Sequence, residues 1–197
     1  MYTFKRATPD DADLIADIII RQSGGVVDHL IGNLVLGLSA TDILSAFLMK
    51  GESPYSTENI IMAVRKEAIV GICFAYPASE HKIPLLMANY IPDKRLNAVR
   101  PVFESSIPDC LYINTFWVDD SQAQISLGQA LLLEADSLCA MLGLSGLSKF
   151  CWNDDEEQMR FFSENGFALH QHLPKEMVPL EGHDLGGSIL FRPVGSK

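Results

Sequence analysis

The chain has 197 residues, 48% apolar and 20% charged, a composition that buries a sizeable core in one globular domain and excludes a disordered chain. Its formal net charge is -10, and its densest basic pairs are only Arg65-Lys66 and Lys94-Arg95, which argues against a nucleic-acid partner. No apolar run approaches the roughly 20 residues of a membrane span, the acid-bearing start MYTFKRATPDDAD is unlike a signal peptide, and Cys73, Cys110, Cys139 and Cys151 lack CxxC spacing, so the reading is a cytoplasmic protein with reduced thiols and no membrane partner.

In chain order, Tyr2 to Ala7 reads as a first strand. Thr8-Pro9-Asp10-Asp11 then starts a helix, with Thr8 as N-cap, Pro9 in the first turn and acids at the positive end of the dipole. Leu14, Ile15, Ile18 and Ile19 supply its buried stripe, and Gly24-Gly25 breaks it. Val26 to Pro54 is apolar with interruptions at Gly32 and Gly37. Within it Thr41 caps a second helix, Asp42 to Lys50, which Gly51 ends. Asn59 to Val64 and Ile69 to Tyr76 are apolar strands joined by Arg65-Lys66-Glu67-Ala68, a hairpin. Pro77 to Asp109 carries Pro84, Pro92, Pro101 and Pro108 and only weak helical patches. Leu111 to Val118 is a strand. Leu127 to Leu142 is a helix with Ala130, Leu131, Ala135, Leu138 and Leu142 on one side. A buried strand over Leu147 to Trp152 precedes a short helix, Glu156 to Glu164, and Phe167 to His172 and Ser188 to Phe191 close the chain as strands. This order leaves no room for a second domain. Residues 1–197 are expected to form a single α/β (α+β) domain, a mixed, mostly antiparallel sheet with helices on both faces.

Two stretches carry chemical information. In the first, Leu111 to Leu133, an apolar strand enters a short polar loop that opens onto an amphipathic helix. That layout puts free backbone N–H groups, at the start of a helix dipole, beside the end of a strand, where a phosphate can be held. Register places Ala123-Gln124-Ile125-Ser126-Leu127-Gly128 at the helix opening, and Ser126 with Gln129 spells a capping box. The second stretch runs through Asn153-Asp154-Asp155 to Met159-Arg160-Phe161-Phe162-Ser163-Glu164-Asn165-Gly166-Phe167.

With these residues the chain resembles the GNAT superfamily of N-acetyltransferases. In that family the helix opens on Arg/Gln-x-x-Gly-x-Gly/Ala. Here Gly128 matches outright, Ala123 stands at the Arg/Gln position and Ser126 at the middle glycine, so the motif is degenerate. The family's later pattern, an Asn after the fifth strand and Tyr-Glu-x-x-Gly-Phe, is met by Asn153 and Gly166-Phe167, with Phe162 at the tyrosine that often reprotonates the departing thiolate. The resemblance spans nearly the whole chain and leaves 24–57 and 77–110 as variable acceptor-side regions.

What the resemblance implies is an acyl-CoA-dependent N-acyltransferase that takes acetyl from acetyl-CoA and passes it to a primary amine of a small molecule or protein. Coenzyme A enters as substrate, with no metal. Its pantetheine would add to the strand at Phe116, Trp117 and Val118, with a backbone N–H near Val118 polarising the thioester carbonyl. The pyrophosphate would sit on Ala123, Gln124, Ile125, Ser126, Leu127, Gly128 and Gln129, and Asn153 and Phe162 would border the cofactor. By period two, Tyr112, Asn114, Phe116 and Val118 share one strand face. Tyr112 stands where some family members carry a catalytic glutamate, and Asn114 could orient a water. Packing at the cleft edge is the alternative for both. Trp117 and Trp152 flank the groove or pack in the core. Asp28-His29 is the one adjacent acid–imidazole pair. His170 and His172 alternate on a strand, a spacing that suits a solvated face better than a metal. Two further readings stay open: an impaired GNAT-fold module that binds coenzyme A or a partner without turnover, and a homodimer built on the apolar Gly24 to Leu48 segment.

Overall fold

The computed structural model describes residues 2–51, 54–84, 88–119 and 124–195. Strand β1 (Thr3–Arg6) leads into a 3-10 turn at Pro9–Asp11 and helix α1 (Ala12–Gln22). The Thr8 backbone N–H and hydroxyl both donate to the Asp11 carboxylate, at 2.9 and 2.8 Å, which fixes the entry into α1. Ile15, Ile18 and Ile19 bury as expected, but Leu14 is 51% exposed, because Ala12 and Ala16 complete the buried stripe instead. Gly24 and Gly25, both at positive φ, turn the chain into α2 (Val26–Ile31), a helix too short for the sequence to announce. Helix α3 (Ala40–Lys50) is capped by Ser39 rather than Thr41: Asp42 N–H donates to the Ser39 hydroxyl oxygen at 3.1 Å, and the Asp42 carboxylate accepts the Ser39 N–H at 2.7 Å.

The hairpin β2 (Ile60–Arg65) and β3 (Ala68–Pro77) follows, and helix α4 (Asp93–Glu104) occupies the Pro-rich stretch. Next come β4 (Cys110–Val118), α5 (Gln124–Met141), β5 (Gly146–Trp152), α6 (Glu156–Glu164), β6 (Ala168–Leu173) and β7 (Gly187–Pro193). Because α5 already begins at Gln124, Ser126 lies inside it and cannot be its N-cap. Leu142 falls beyond its end and is exposed, while Leu131, Ala135 and Leu138 bury.

The strands form one seven-stranded sheet of order β1-β2-β3-β4-β5-β7-β6, in which only β4 and β5 run parallel. This is the mixed, mostly antiparallel sheet that the sequence implies. Two cores flank it. On one face α1 to α4 cover Ile60, Met62, Phe74 and Tyr76; on the other α5 and α6 cover Ile61, Cys73, Ile113 and Phe116. No described helix is long and apolar enough to cross a membrane.

Candidate active site

The site begins where the parallel pair fails. β4 and β5 are matched only at Cys110–Gly146, Leu111–Leu147 and Tyr112–Ser148, and beyond Tyr112 they part. β4 stays paired to β3 as far as Val118, but Phe74 faces Thr115 and Ala75 faces Ile113, so Asn114 is an unmatched extra residue. This bulge shifts the alternation of side chains by one. Tyr112 and Trp117 therefore point to the α1–α4 face, and Ile113, Phe116 and Val118 to the α5–α6 face. The expectation that Tyr112, Asn114, Phe116 and Val118 share a face is corrected: period two holds only in an unbroken strand.

On the α5–α6 side the parting strands open a groove of about 480 Å³, lined by Phe116, Trp117 and Val118 from β4 and by Arg160, Phe161 and Glu164 from α6. On the other side lies a cavity of about 210 Å³ bordered by Tyr55, His81, Phe103, Tyr112, Asn114 and Trp152. Gln22, Asp155 and Gln158 line both, so groove and cavity meet across the gap between the strands.

The cavity wall is built from aromatics and one polar chain. His81 stacks between Tyr112 (ring centroids 3.7 Å apart) and Phe103 (4.9 Å), and its burial pulls the imidazole down to about 4, so it is neutral at pH 7. Its Nδ1 lies 3.1 Å from the Tyr76 hydroxyl, which accepts from Asn114 Nδ2 at 3.0 Å. Asn114 Oδ1 in turn accepts from the Thr115 hydroxyl at 2.9 Å. Burial pushes the Tyr76 and Tyr112 hydroxyls well above the usual tyrosine range, so neither is a base at neutral pH. At the opposite wall Trp152 stacks flat on His183 (3.7 Å, 5° between planes). His183 Nδ1 lies 2.9 Å from Asp154 Oδ1 and Nε2 lies 2.8 Å from the Gly24 carbonyl oxygen. Gly24 is at φ +56°, and a Cβ there would meet Trp152 Nε1 at 2.2 Å, so glycine is what lets the α1–α2 turn close against Trp152.

One cation sits in the gap itself. Lys149, in the middle of β5, is 4% exposed, and its Nζ donates to the Asn114 carbonyl at 3.4 Å and lies 5.6 Å from the Phe162 ring centroid. Among the described residues no carboxylate pairs with it. Burial lowers its ammonium below the usual lysine range.

Searches for a matching family model and for a matching curated protein found none. Solved structures do match. A crystal structure of an acetyltransferase superposes with a TM-score of 0.68 at 17% identity, covering 98% of this chain and 100% of that one. An acetyltransferase of the GNAT family from Streptococcus pneumoniae gives 0.58 at 14%, covering 99% and 100%. N-acetylglutamate synthase from Neisseria gonorrhoeae, solved with coenzyme A and N-acetyl-glutamate, gives 0.56 at 14%, covering all of this chain and 36% of that one. The fold is that of the GNAT acetyltransferases.

On this GNAT fold the residues singled out by sequence fall in different places. Phe116, Trp117 and Val118 line the groove. Ala123 lies outside the described residues. Gln124 and Ile125 open α5, Leu127 is buried, and Ser126 and Gln129 are on exposed positions. Gly128 marks the close approach of α5 to α6, since a Cβ there would meet the Phe161 ring at 2.8 Å. Phe162 is fully buried against Phe116, Phe161 and Phe167, and Phe161 takes the lining position. Asn153 is tied to the β6–β7 loop instead of the groove: its Nδ2 donates to the Leu185 carbonyl at 2.8 Å and its Oδ1 accepts from the Ser188 hydroxyl at 2.7 Å.

Trp117 borders the groove and Trp152 the cavity, and both also pack in the core on the α1–α4 face. No hydrogen bond joins Asp28 to His29, and neither lines groove or cavity. His170 and His172 are solvent-exposed, and a bulge at His170 interrupts the alternation there. Among the described residues no three His, Cys, Asp or Glu side chains gather as a metal site. Sequence reasoning missed Lys149, His81, His183 and Gln158. For Lys149 a signal existed, a lone charge inside the apolar run Leu147 to Trp152. For His81 there was none, because the Pro-rich stretch around it gives no register.

Proposed function

We propose that the chain is an acyl-CoA-dependent N-acyltransferase, with acetyl-CoA as donor and a primary amine of a small molecule or protein as acceptor. The observation that carries this reading is the parted β4–β5 pair, with a groove on one side meeting a cavity on the other. Beyond Tyr112 the β5-side edge of β4 has no strand partner among the described residues. An extended pantetheine arm can take its main-chain hydrogen bonds along Phe116 to Val118, as an added strand would. The gap then brings the thioester next to the Asn114 bulge. An amine entering through the aromatic cavity would meet the carbonyl carbon there. Holding both reactants in one gap supplies most of what this reaction needs, because the amine attacks directly and no enzyme-bound acyl group is required. Cys151 is an unfavourable nucleophile in any case: burial pushes its thiol up to about 12. Asn114, locked through Tyr76 to His81, acts in this reading by holding the bulge, and Tyr112 by closing the cavity wall. The fold shared with a coenzyme A-bound synthase supports the same donor.

Isothermal titration of the purified chain with acetyl-CoA and with free coenzyme A tests this. Binding at about micromolar Kd, followed by acyl transfer in an amine screen, is the expected result. Phe162, fully buried and without a hydroxyl at the family's proton-donor position, favours the second reading of a module that binds but does not turn over. Binding with no transfer to any amine would select that reading. Absence of binding by either ligand would exclude the acyltransferase and leave a module that binds a partner instead of coenzyme A.

A further inference from the structure

We propose that Lys149 supplies the proton, and the positive charge, that the departing coenzyme A thiolate takes up in place of the tyrosine hydroxyl missing at Phe162. The inference rests on the acyltransferase reading and adds to it a residue that the fold's usual arrangement does not provide. Lys149 is a buried cation held where the two strands part, bonded to the carbonyl of the β4 bulge and beside the Phe162 ring. It also borders the acceptor cavity.

Its surroundings suit the role. A buried cation with no carboxylate partner is costly to maintain, and an anion arriving beside it is stabilised far more strongly than in water. The titratable and charged groups acting on it are Cys151 from its own strand, Cys73 from β3 and Asp155 at the start of α6. Burial keeps the two thiols protonated, with both pushed up to about 12. Both oxygens of Asp155 accept from Gln158, from its N–H at 3.0 Å and its Nε2 at 3.2 Å. The desolvation that lowers the Lys149 ammonium also brings its acidity closer to that of a thiol, which is the match that proton transfer needs.

The step balances as follows. The amine lone pair forms the C–N bond at the thioester carbonyl, and the carbonyl pair moves to oxygen. As it returns, the C–S bond breaks and its electron pair stays on sulfur. The thiolate takes a proton from Lys149, giving free coenzyme A thiol and a neutral lysine. The new amide nitrogen sheds one proton to solvent, and Lys149 regains one from solvent.

The test uses the thiol itself, so it does not depend on knowing the acceptor. Coenzyme A is bound to the wild-type chain and to Lys149→Met, and the thiol is titrated by ultraviolet absorbance of the thiolate. The expected result is at least a tenfold higher thiolate-to-thiol ratio at a given pH on the wild type than on the variant, with Kd for coenzyme A changed less than about threefold. Once an acceptor is known, kcat should fall about 100-fold or more with little change in KM. Lys149→Gln, which keeps a donor for the Asn114 carbonyl without the charge, serves if Lys149→Met does not fold. Equal thiol titration on wild type and variant would overturn the proposal while leaving the acyltransferase reading intact. Tighter binding to Lys149→Met would also overturn it, showing that the lysine plugs the gap. Failure of the wild type to bind coenzyme A would remove both.

Discussion

Truncating Phe162 to alanine is expected to lower folding stability by about 3–5 kcal/mol, more than any substitution on the groove surface. The ring is fully buried where the α5–α6 face of the sheet meets α6, with edge contacts to Phe116 at 5.5 Å, Phe161 at 5.3 Å and Phe167 at 4.9 Å. The three rings that remain, Phe116 from β4, Phe161 from α6 and Phe167 just before β6, cannot collapse together to fill the void, because each is anchored by its own backbone element. In thermal or urea unfolding, that loss corresponds to a fall in Tm on the order of 10 °C for a chain of this length. The substitution also removes the floor beneath Phe161 and should weaken coenzyme A binding in the groove. A change below about 1 kcal/mol would mean that this core is not packed as described.

The second large effect is acid sensitivity at His81. In the folded chain the imidazole takes its proton near pH 4; unfolded, it does so near its ordinary 6.5. Between those values the unfolded chain binds more protons, so stability falls as pH is lowered through that window. The full difference amounts to about 3 kcal/mol, reached once the pH is below the folded value. His81→Phe keeps a flat ring between Phe103 and Tyr112 but cannot charge. It gives up one hydrogen bond to Tyr76, worth about 1 kcal/mol at every pH. Wild type should therefore lose about 3 kcal/mol relative to the variant between pH 7 and pH 4, read by urea unfolding at both pH values. Parallel stability curves would show that His81 is not held neutral by burial.

Element order was legible because each element carries its own local signal. The Ile60–Pro77 hairpin is two apolar runs about a polar turn, α6 lies between Asp155 as cap and Gly166, and the chain folds as the single mixed sheet they imply. Phe116 to Val118, which line the groove, were named from the family resemblance and not from any local signal of their own. What decides the site was not legible. The Asn114 bulge depends on how β3 and β4 pair across 38 residues of sequence, from Tyr76 to Asn114, and no local pattern records an extra residue in one strand. It turns Tyr112 away from Phe116 and places the lysine's acceptor carbonyl in the gap. The misassigned cap, Thr41 for Ser39, has a simple cause. Ser and Thr residues close together all satisfy the capping pattern, and only the backbone chooses among them.

The claim on which everything else rests is that the parted β4–β5 edge receives coenzyme A. Amide hydrogen exchange with and without saturating coenzyme A tests it most directly, since exchange reports which backbone N–H groups acquire a partner. The account predicts slowed exchange at Phe116 to Val118 and at the start of α6 around Gln158, with β1 and β2 unchanged. Protection confined to another hollow, such as the one between Phe4–Arg6 and Glu134–Met141, or bound coenzyme A with no protection along β4, would contradict it.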